Sequence, residues 1–209
     1  MGNKGVVYVI DDEADVCEAL KVLLHTAGLE GRTYASAEEF LSDVKLSRPI
    51  CLLVDVRLPG MSGLELVHQL QAGPIRPVVV MITGHGDVPL AVKAMRAGAL
   101  HFLEKPFEPA ELLQTLEEAL QRVSQMAVEE ATYAAIEESY GSLTPREQEV
   151  MALLAEGMPT KLLATKLGIS TRTAEHHRAA VLKKMGARTV SHLARMSTSL
   201  QARNPPTRF

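Results

Sequence analysis

Five strand-like segments, each followed by a helix-like segment, constrain the first part of this chain more than any other feature. Four of them are strongly apolar, and a weaker one lies near Glu30–Tyr34; the apolar ones are Val6–Ile10, Ile50–Val54, Val78–Ile82 and Leu100–Leu103. Strands that are apolar along their whole length are buried on both faces, which is typical of parallel sheets covered by helices. We therefore predict an α/β domain over residues 1–123, built on a doubly wound sheet of five parallel strands.

The remainder of the chain carries helical patterns. The sequence contains no Pro or Gly after Leu112 until Gly141, which predicts a helical linker over 124–141. Thr144–Glu147 combines a capping box with Pro at the first helical position, and Thr160 and Ser170 are predicted to cap two further helices. With a fourth helix over about Thr189–Leu200, residues 142–209 are predicted to form an all-α domain of four helices.

Charge divides the chain in the same way. Residues 1–123 carry 11 basic and 17 acidic side chains, 124–141 carry four acidic and no basic ones, and 142–209 carry 11 basic and four acidic ones. Such a division predicts that the C-terminal part contacts a polyanion.

Two cysteines are too few for a disulfide framework or a zinc site, and the apolar runs are too short to span a membrane. Because the N-terminus also lacks a signal-peptide pattern, we expect a cytoplasmic protein without a membrane partner.

Polar residues follow four of the predicted strands. These are Asp11 and Asp12 after the first, Asp55 after the third, Thr83 after the fourth and Lys105 after the fifth. Ligands of open α/β sheets bind at these carboxyl ends, and clustered carboxylates repel one another unless a cation lies between them. Mg²⁺ with oxygen ligands fits, while Lys105 and Thr83 could hold a phosphoryl group and a carboxylate could act as nucleophile.

Residues 1–123 resemble the receiver domain of bacterial two-component response regulators, which has a flavodoxin-like fold. The matching segments are Val9–Glu13, Val54–Gly63, Ile82–Gly86 and Phe102–Phe107. The resemblance implies that Asp55 accepts a phosphoryl group from the phosphohistidine of a partner sensor kinase. It further implies that Asp12, Asp55 and the backbone carbonyl of Arg57 bind Mg²⁺ directly, and that Asp11 acts mainly through water.

The same resemblance implies a switch. Thr83 would bind a phosphoryl oxygen after activation, Lys105 would pair with the aspartyl phosphate, and Phe102 would be the aromatic switch residue that turns inward. The peptide bond between Lys105 and Pro106 is expected to be cis.

Residues Thr160–Thr173 have the pattern of a helix-turn-helix, two helices joined by a short turn containing Gly168. On the second helix, Ala174, Val181 and Met185 recur at helical spacing and are predicted to face the core, whereas Lys184 lies on the flank of the opposite face. A mixture of polar and basic tips on that face fits the major groove of DNA. The predicted DNA contacts are Lys161, Arg172, Thr173, Glu175, His176, Arg178, Ala179 and Lys183.

Residues 142–200 also resemble the LuxR-type DNA-binding domain, on the segments Leu143–Val150, Lys166–Ser170 and Arg172–Arg178. Together the two matches resemble the FixJ/NarL family of response regulators, and within it the FixJ branch. This implies a transcription regulator rather than an enzyme, with a sensor histidine kinase, promoter DNA and RNA polymerase as partners. It also implies a homodimer that forms on phosphorylation through the fourth helix (Val88–Ala97) and the fifth strand.

Three alternatives remain open at the level of sequence. The first is a phosphatase with Asp55 as nucleophile, although such sites usually carry a second acid where this chain has Arg57. The second is a receiver that acts as a phosphate sink or as a docking module independent of phosphorylation. The third is a ligand-sensing LuxR-type regulator, for which the α/β pattern offers no obvious apolar pocket.

Overall fold

The computed structural model describes residues 5–84, 86 and 88–203. It divides the chain into two compact units, with the division after Ala127. No helix in this described part is long and apolar enough to cross a membrane.

The described residues of the first unit form five strands and five helices. The strands are β1 (Val6–Ile10), β2 (Glu30–Tyr34), β3 (Cys51–Asp55), β4 (Val78–Thr83) and β5 (His101–Glu104). The helices are α1 (Ala14–Thr26), α2 (Ala37–Asp43), α3 (Gly63–Gln71), α4 (Val88–Ala97) and α5 (Pro109–Gly141), of which α5 continues into the second unit. All strand pairs are parallel and the order is β2-β1-β3-β4-β5, which confirms the predicted doubly wound, flavodoxin-like sheet.

Helices cover both faces of this sheet. Along β1, Val7 and Val9 point into a cluster that includes residues of α1 and α5, whereas Ile10 points into a cluster that includes residues of α2 and α3. The same alternation along β3 and β4 explains why these strands are apolar up to their last residues, Asp55 and Thr83, since each apolar residue is buried on one face or the other.

In the second unit, the residues up to Arg203 form the end of α5 and four more helices, α6 (Pro145–Ala155), α7 (Thr160–Leu167), α8 (Thr171–Lys184) and α9 (Val190–Arg203). The capping box at Thr144 is confirmed, and Ser170 caps α8 by accepting the N–H of Thr173 at 3.1 Å. The prediction that Thr160 caps α7 is wrong, because Pro159 occupies the cap position in an extended conformation without a side-chain hydrogen bond. Proline already holds the φ angle that the start of a helix needs.

The core of the second unit includes the face of α8 that was predicted to point inward. Ala174, Val181 and Met185 are at most 2% exposed, which confirms that prediction. Ile136, from the part of α5 that was predicted as a linker, is buried in the same cluster. On the same helix, Glu130 forms an ion pair with Arg203 of α9 at 3.1 Å.

Candidate phosphoryl site and DNA-binding surface

The two most buried acidic groups of the first unit lie at the carboxyl ends of neighbouring strands. Asp55 is the last residue of β3 and is 5% exposed, and Asp11 directly follows β1 and is 1% exposed. The chain order reverses between β1 and β3, and such a switch point opens a crevice at the edge of the sheet. Topology alone therefore brings these two carboxylates together.

Lys105 joins the two carboxylates. Its Nζ donates to Asp11 Oδ2 at 2.7 Å and to Asp55 Oδ2 at 2.6 Å. Burial alone would lower the pKa of Lys105, but the hydrogen bonds to Asp11 and Asp55 raise it above its ordinary value. Burial raises the pKa of Asp11, and the hydrogen bond from Lys105 offsets part of that rise. Lys105 is thus a permanent positive charge placed against the predicted phosphoacceptor.

The third carboxylate of the site differs from the one predicted. Oxygen atoms of Asp11, Glu13 and Asp55 all lie within 4.8 Å of one another, whereas Asp12 is exposed and outside this group. Sequence reasoning missed Glu13, which occupies the N-cap position of α1 without making a side-chain cap hydrogen bond. The available signal was its place at the end of the matching segment Val9–Glu13.

The donor set suits a hard cation. Three carboxylates at this spacing offer the oxygen ligands that Mg²⁺ prefers. The backbone of Arg57 borders the same site, since its N–H donates to Asp55 Oδ1 at 2.7 Å while its side chain is exposed. The residues present therefore fit a magnesium ion.

Thr83 and Phe102 lie on the same face of the sheet. Thr83 ends β4 and is fully buried, and Phe102 pairs in register with Met81, two residues earlier on β4. Phe102 is half-buried against the cluster that includes Met81. Lys105 N–H donates to the carbonyl of Thr83 at 2.7 Å, and the Lys105–Pro106 bond is cis, as predicted. Lys105, whose side chain donates to Asp55, is thus also hydrogen-bonded through its backbone to the end of β4.

A glycine sets the distance between α3 and the end of β3. A Cβ atom added at Gly63 would lie 2.0 Å from the carbonyl oxygen of Asp55. The N–H of Gly63 donates to the carbonyl of Val56 at 3.1 Å, and a capping box between Ser62 and Glu65 starts the helix. The loop that follows Asp55 is therefore closed tightly against the strand.

Helix α4 exposes an apolar stripe on the first unit. Val88, Val92 and Met95 are 78%, 45% and 49% exposed, and their spacing places them on one face of the helix. Since β5 is an edge strand of the sheet, the surface predicted to dimerise is open and partly apolar.

The predicted DNA contacts all lie on the surface of the second unit. Lys161 is in α7 and the others are in α8, and each is exposed: Lys161, Arg172, Thr173, Glu175, His176, Arg178, Ala179 and Lys183. The two helices are joined by three residues, Gly168, Ile169 and Ser170, of which Gly168 is in the left-handed conformation with a φ of 64°. The arrangement is that of a helix-turn-helix whose second helix presents a polar and basic face.

Lys184, placed by sequence on the flank of that face, is engaged elsewhere. Its Nζ donates to Glu147 Oε2 at 2.6 Å, and Glu147 is only 6% exposed. The hydrogen bonds from Lys184 and from the N–H of Thr144 lower the pKa of Glu147 to about 2. Lys184 thus fastens the end of α8 to the start of α6.

Comparison with known proteins accounts for both units. Residues 7–117 match the family model described as response regulator receiver domain, and 141–197 match bacterial regulatory proteins, luxR family. The chain is 41% identical over 197 residues to the transcriptional regulatory protein FixJ of Bradyrhizobium diazoefficiens, which covers 94% of this chain and 96% of that protein. It is 42% identical to the C4-dicarboxylate transport transcriptional regulatory protein DctR of Rhodobacter capsulatus, over 91% and 98% of the two chains. Among solved structures, the response regulator StyR is similar with a TM-score of 0.80 and 39% identity, over 92% of this chain and 98% of StyR.

Proposed function

Since the chain belongs to the response regulators that join a receiver domain to a LuxR-type DNA-binding domain, and within them is FixJ-like, we propose that it is a transcription factor switched by phosphorylation of Asp55. The observation that carries the proposal is the pair of ion pairs that Lys105 makes with Asp11 and Asp55 at the switch point of the sheet. A buried carboxylate held by a permanent cation is suited to accept a dianionic phosphoryl group, whose oxygens need a positive partner.

The transfer step follows from these positions. A carboxylate oxygen of Asp55 attacks the phosphorus of a phosphohistidine on a partner sensor kinase, and the P–N bond breaks with its electron pair going to the ring nitrogen. Because the other ring nitrogen of that histidine already carries a proton, the ring leaves as neutral imidazole. Lys105 pairs with the phosphoryl oxygens, and Thr83 donates its hydroxyl to one of them. Mg²⁺, when bound, would neutralise the charge of the incoming group. We assign Asp11, Asp12, Asp55 and the Arg57 carbonyl to its site, and we add Glu13 because its carboxylate lies near those of Asp11 and Asp55.

Phosphorylation is read out on the surface of α4 and β5. When Thr83 moves toward the phosphoryl group, space opens on its face of the sheet and Phe102 turns inward. The exposed stripe of Val88, Val92 and Met95 then becomes part of an isologous dimer interface. Burial of these apolar side chains supplies the driving force for association.

The dimer places two copies of α8 on promoter DNA in the cytoplasm. The base edges are read by side chains near the start of α8, chiefly Arg172, Glu175 and His176, while Lys161, Arg178 and Lys183 contact phosphates. Two recognition helices read two half-sites one helical turn apart, and the bound dimer recruits RNA polymerase.

The decisive measurement is the solution mass of the full chain, by light scattering, with Mg²⁺ and beryllofluoride as a phosphoryl mimic. The wild-type chain should change from monomer to dimer, whereas Asp55→Asn should not. A separate assay with acetyl phosphate and phosphate-affinity gels should detect phosphorylation of the wild type but not of Asp55→Asn. If Asp55→Asn is phosphorylated to the wild-type extent, or dimerises with beryllofluoride, the assignment of Asp55 is wrong.

A further inference from the structure

The loop of residues 56–62, between β3 and α3, carries the backbone next to Asp55, and a side chain from α2 holds it. Glu38 lies in the first turn of α2, and its Oε1 accepts the N–H of Met61 at 2.8 Å. The two residues are 23 positions apart in sequence, so this contact ties the loop to a different part of the fold.

Gly60 makes this contact possible. Its φ of +76° lies in the left-handed region that favours glycine, and a Cβ atom there would lie 2.6 Å from Glu38 Oε1. Any other residue at this position would be strained and would displace the Glu38 carboxylate from the loop. The absence of a side chain at Gly60 therefore leaves the space that the Glu38 carboxylate occupies beside the loop.

The other anchors of the loop include one more from a distant part of the chain, since the N–H of Val56 donates to the carbonyl of Ile82 at 2.9 Å. Asp55 Oδ1 accepts the N–H of Arg57 at one end, and Glu65 Oε2 accepts the N–H of Ser62 at 2.9 Å at the other. Leu58, between them, is buried in the core of the first unit. Glu38 adds an anchor from α2 at Met61, the residue directly before Ser62.

We infer that Glu38 is a positioning residue for the phosphoryl site, which holds the loop so that the carbonyl of Arg57 is oriented for Mg²⁺. The inference rests on the proposed function, since it concerns the affinity of the same site for its cation. Hydrogen bonds, first among them the one from the N–H of Met61, lower the pKa of Glu38, so the carboxylate stays ionised and acts as a strong acceptor. Glu38 acts through the loop rather than on the cation.

The test compares three variants of the full chain by isothermal titration with MgCl₂ and by amide hydrogen exchange. Glu38→Ala removes the acceptor, and its affinity for Mg²⁺ should fall by about fivefold, the effect of losing one hydrogen bond that holds the loop. Glu38→Gln keeps an oxygen acceptor and should stay within about twofold of the wild type. Exchange of the Met61 amide should become faster in Glu38→Ala alone, because that amide loses its acceptor.

Glu39→Ala is the matched control. Glu39 Oε2 accepts the N–H of Ala35 at 2.7 Å, so this variant also loses a hydrogen bond at the start of α2, but not one to the loop. Its Mg²⁺ affinity should equal that of the wild type. Three outcomes would overturn the inference about Glu38 but not the proposed function. They are a wild-type Mg²⁺ affinity in Glu38→Ala, the same loss of affinity in Glu39→Ala as in Glu38→Ala, and the same loss in Glu38→Gln. A wild-type chain that binds no Mg²⁺ would overturn the proposed function as well.

Discussion

Replacing Gly63 by Ala should destabilise the first unit and disrupt the phosphoryl site at the end of β3. The new Cβ would lie 2.0 Å from the carbonyl oxygen of Asp55, whereas ordinary contact begins at about 3.4 Å, so the start of α3 or the end of β3 must move by more than 1 Å. Both groups belong to the backbone, and no side-chain rotation can relieve the overlap. The movement would break the hydrogen bond from Gly63 to Val56 and weaken the one from Val56 to Ile82.

The cost can be worked from these contacts. Two backbone hydrogen bonds contribute about 1 kcal/mol each, and overpacking a well-packed site costs about 1–3 kcal/mol, so the free energy of unfolding should fall by about 3–5 kcal/mol. That is a large part of the roughly 5–15 kcal/mol that a domain has available. Urea unfolding followed by circular dichroism measures the loss, and phosphorylation by acetyl phosphate measures the site. A loss below about 1 kcal/mol with normal phosphorylation would refute the steric argument.

Elsewhere the structure makes four smaller predictions. The folded state lowers the pKa of Glu147 from 4.5 to about 2. The stabilisation that the ionised Glu147 carboxylate contributes is therefore complete above about pH 4.5 and is lost as the pH falls toward 2. Thermal melts across this range should show a weaker acid dependence in Glu147→Gln but not in Glu149→Gln; an unchanged slope in Glu147→Gln would contradict the assignment. Gly141→Ala, in the last turn of α5 with open space around it, should raise the unfolding free energy of the second unit by about 0.5–1 kcal/mol in urea titrations, and a loss would contradict this. Val92→Glu should keep the beryllofluoride complex monomeric in light scattering, and a normal dimer would remove α4 from the interface. Arg178→Ala should lower the salt dependence of promoter binding by about two units in a log–log plot, one for each subunit of the dimer, and an unchanged slope would exclude a phosphate contact.

The fold was predictable because its signals are local and repeated. Apolar runs bounded by polar strand ends specify a parallel sheet, and alternate burial along β1 and β3 explains those runs. Asp55 and Lys105 could be placed together because each lies at the carboxyl end of a strand of that sheet.

What the sequence left undetermined depends on side-chain direction. Asp11, Asp12 and Glu13 are adjacent in sequence, and the pattern alone does not show which of them turn inward at the start of α1; the structure places Asp11 and Glu13 near Asp55. Lys184 was placed among the exposed basic residues because helical spacing cannot reveal that Glu147, 37 positions earlier, lies within reach. Contacts over such separations follow from packing rather than from periodicity.

The far end of α5 decides where these two domains can be separated or exchanged. Its residues from Val128 onward belong to the second unit, where Ile136 is buried and Arg203 lies 4.4 Å from the ring of Tyr133. A fragment that starts at residue 141, where the luxR-family match begins, would lose that helix and expose the apolar surface beneath it. A hybrid regulator that receives this DNA-binding domain should therefore have its crossover before Val128, so that the recognition helix is transferred with the whole of its supporting core.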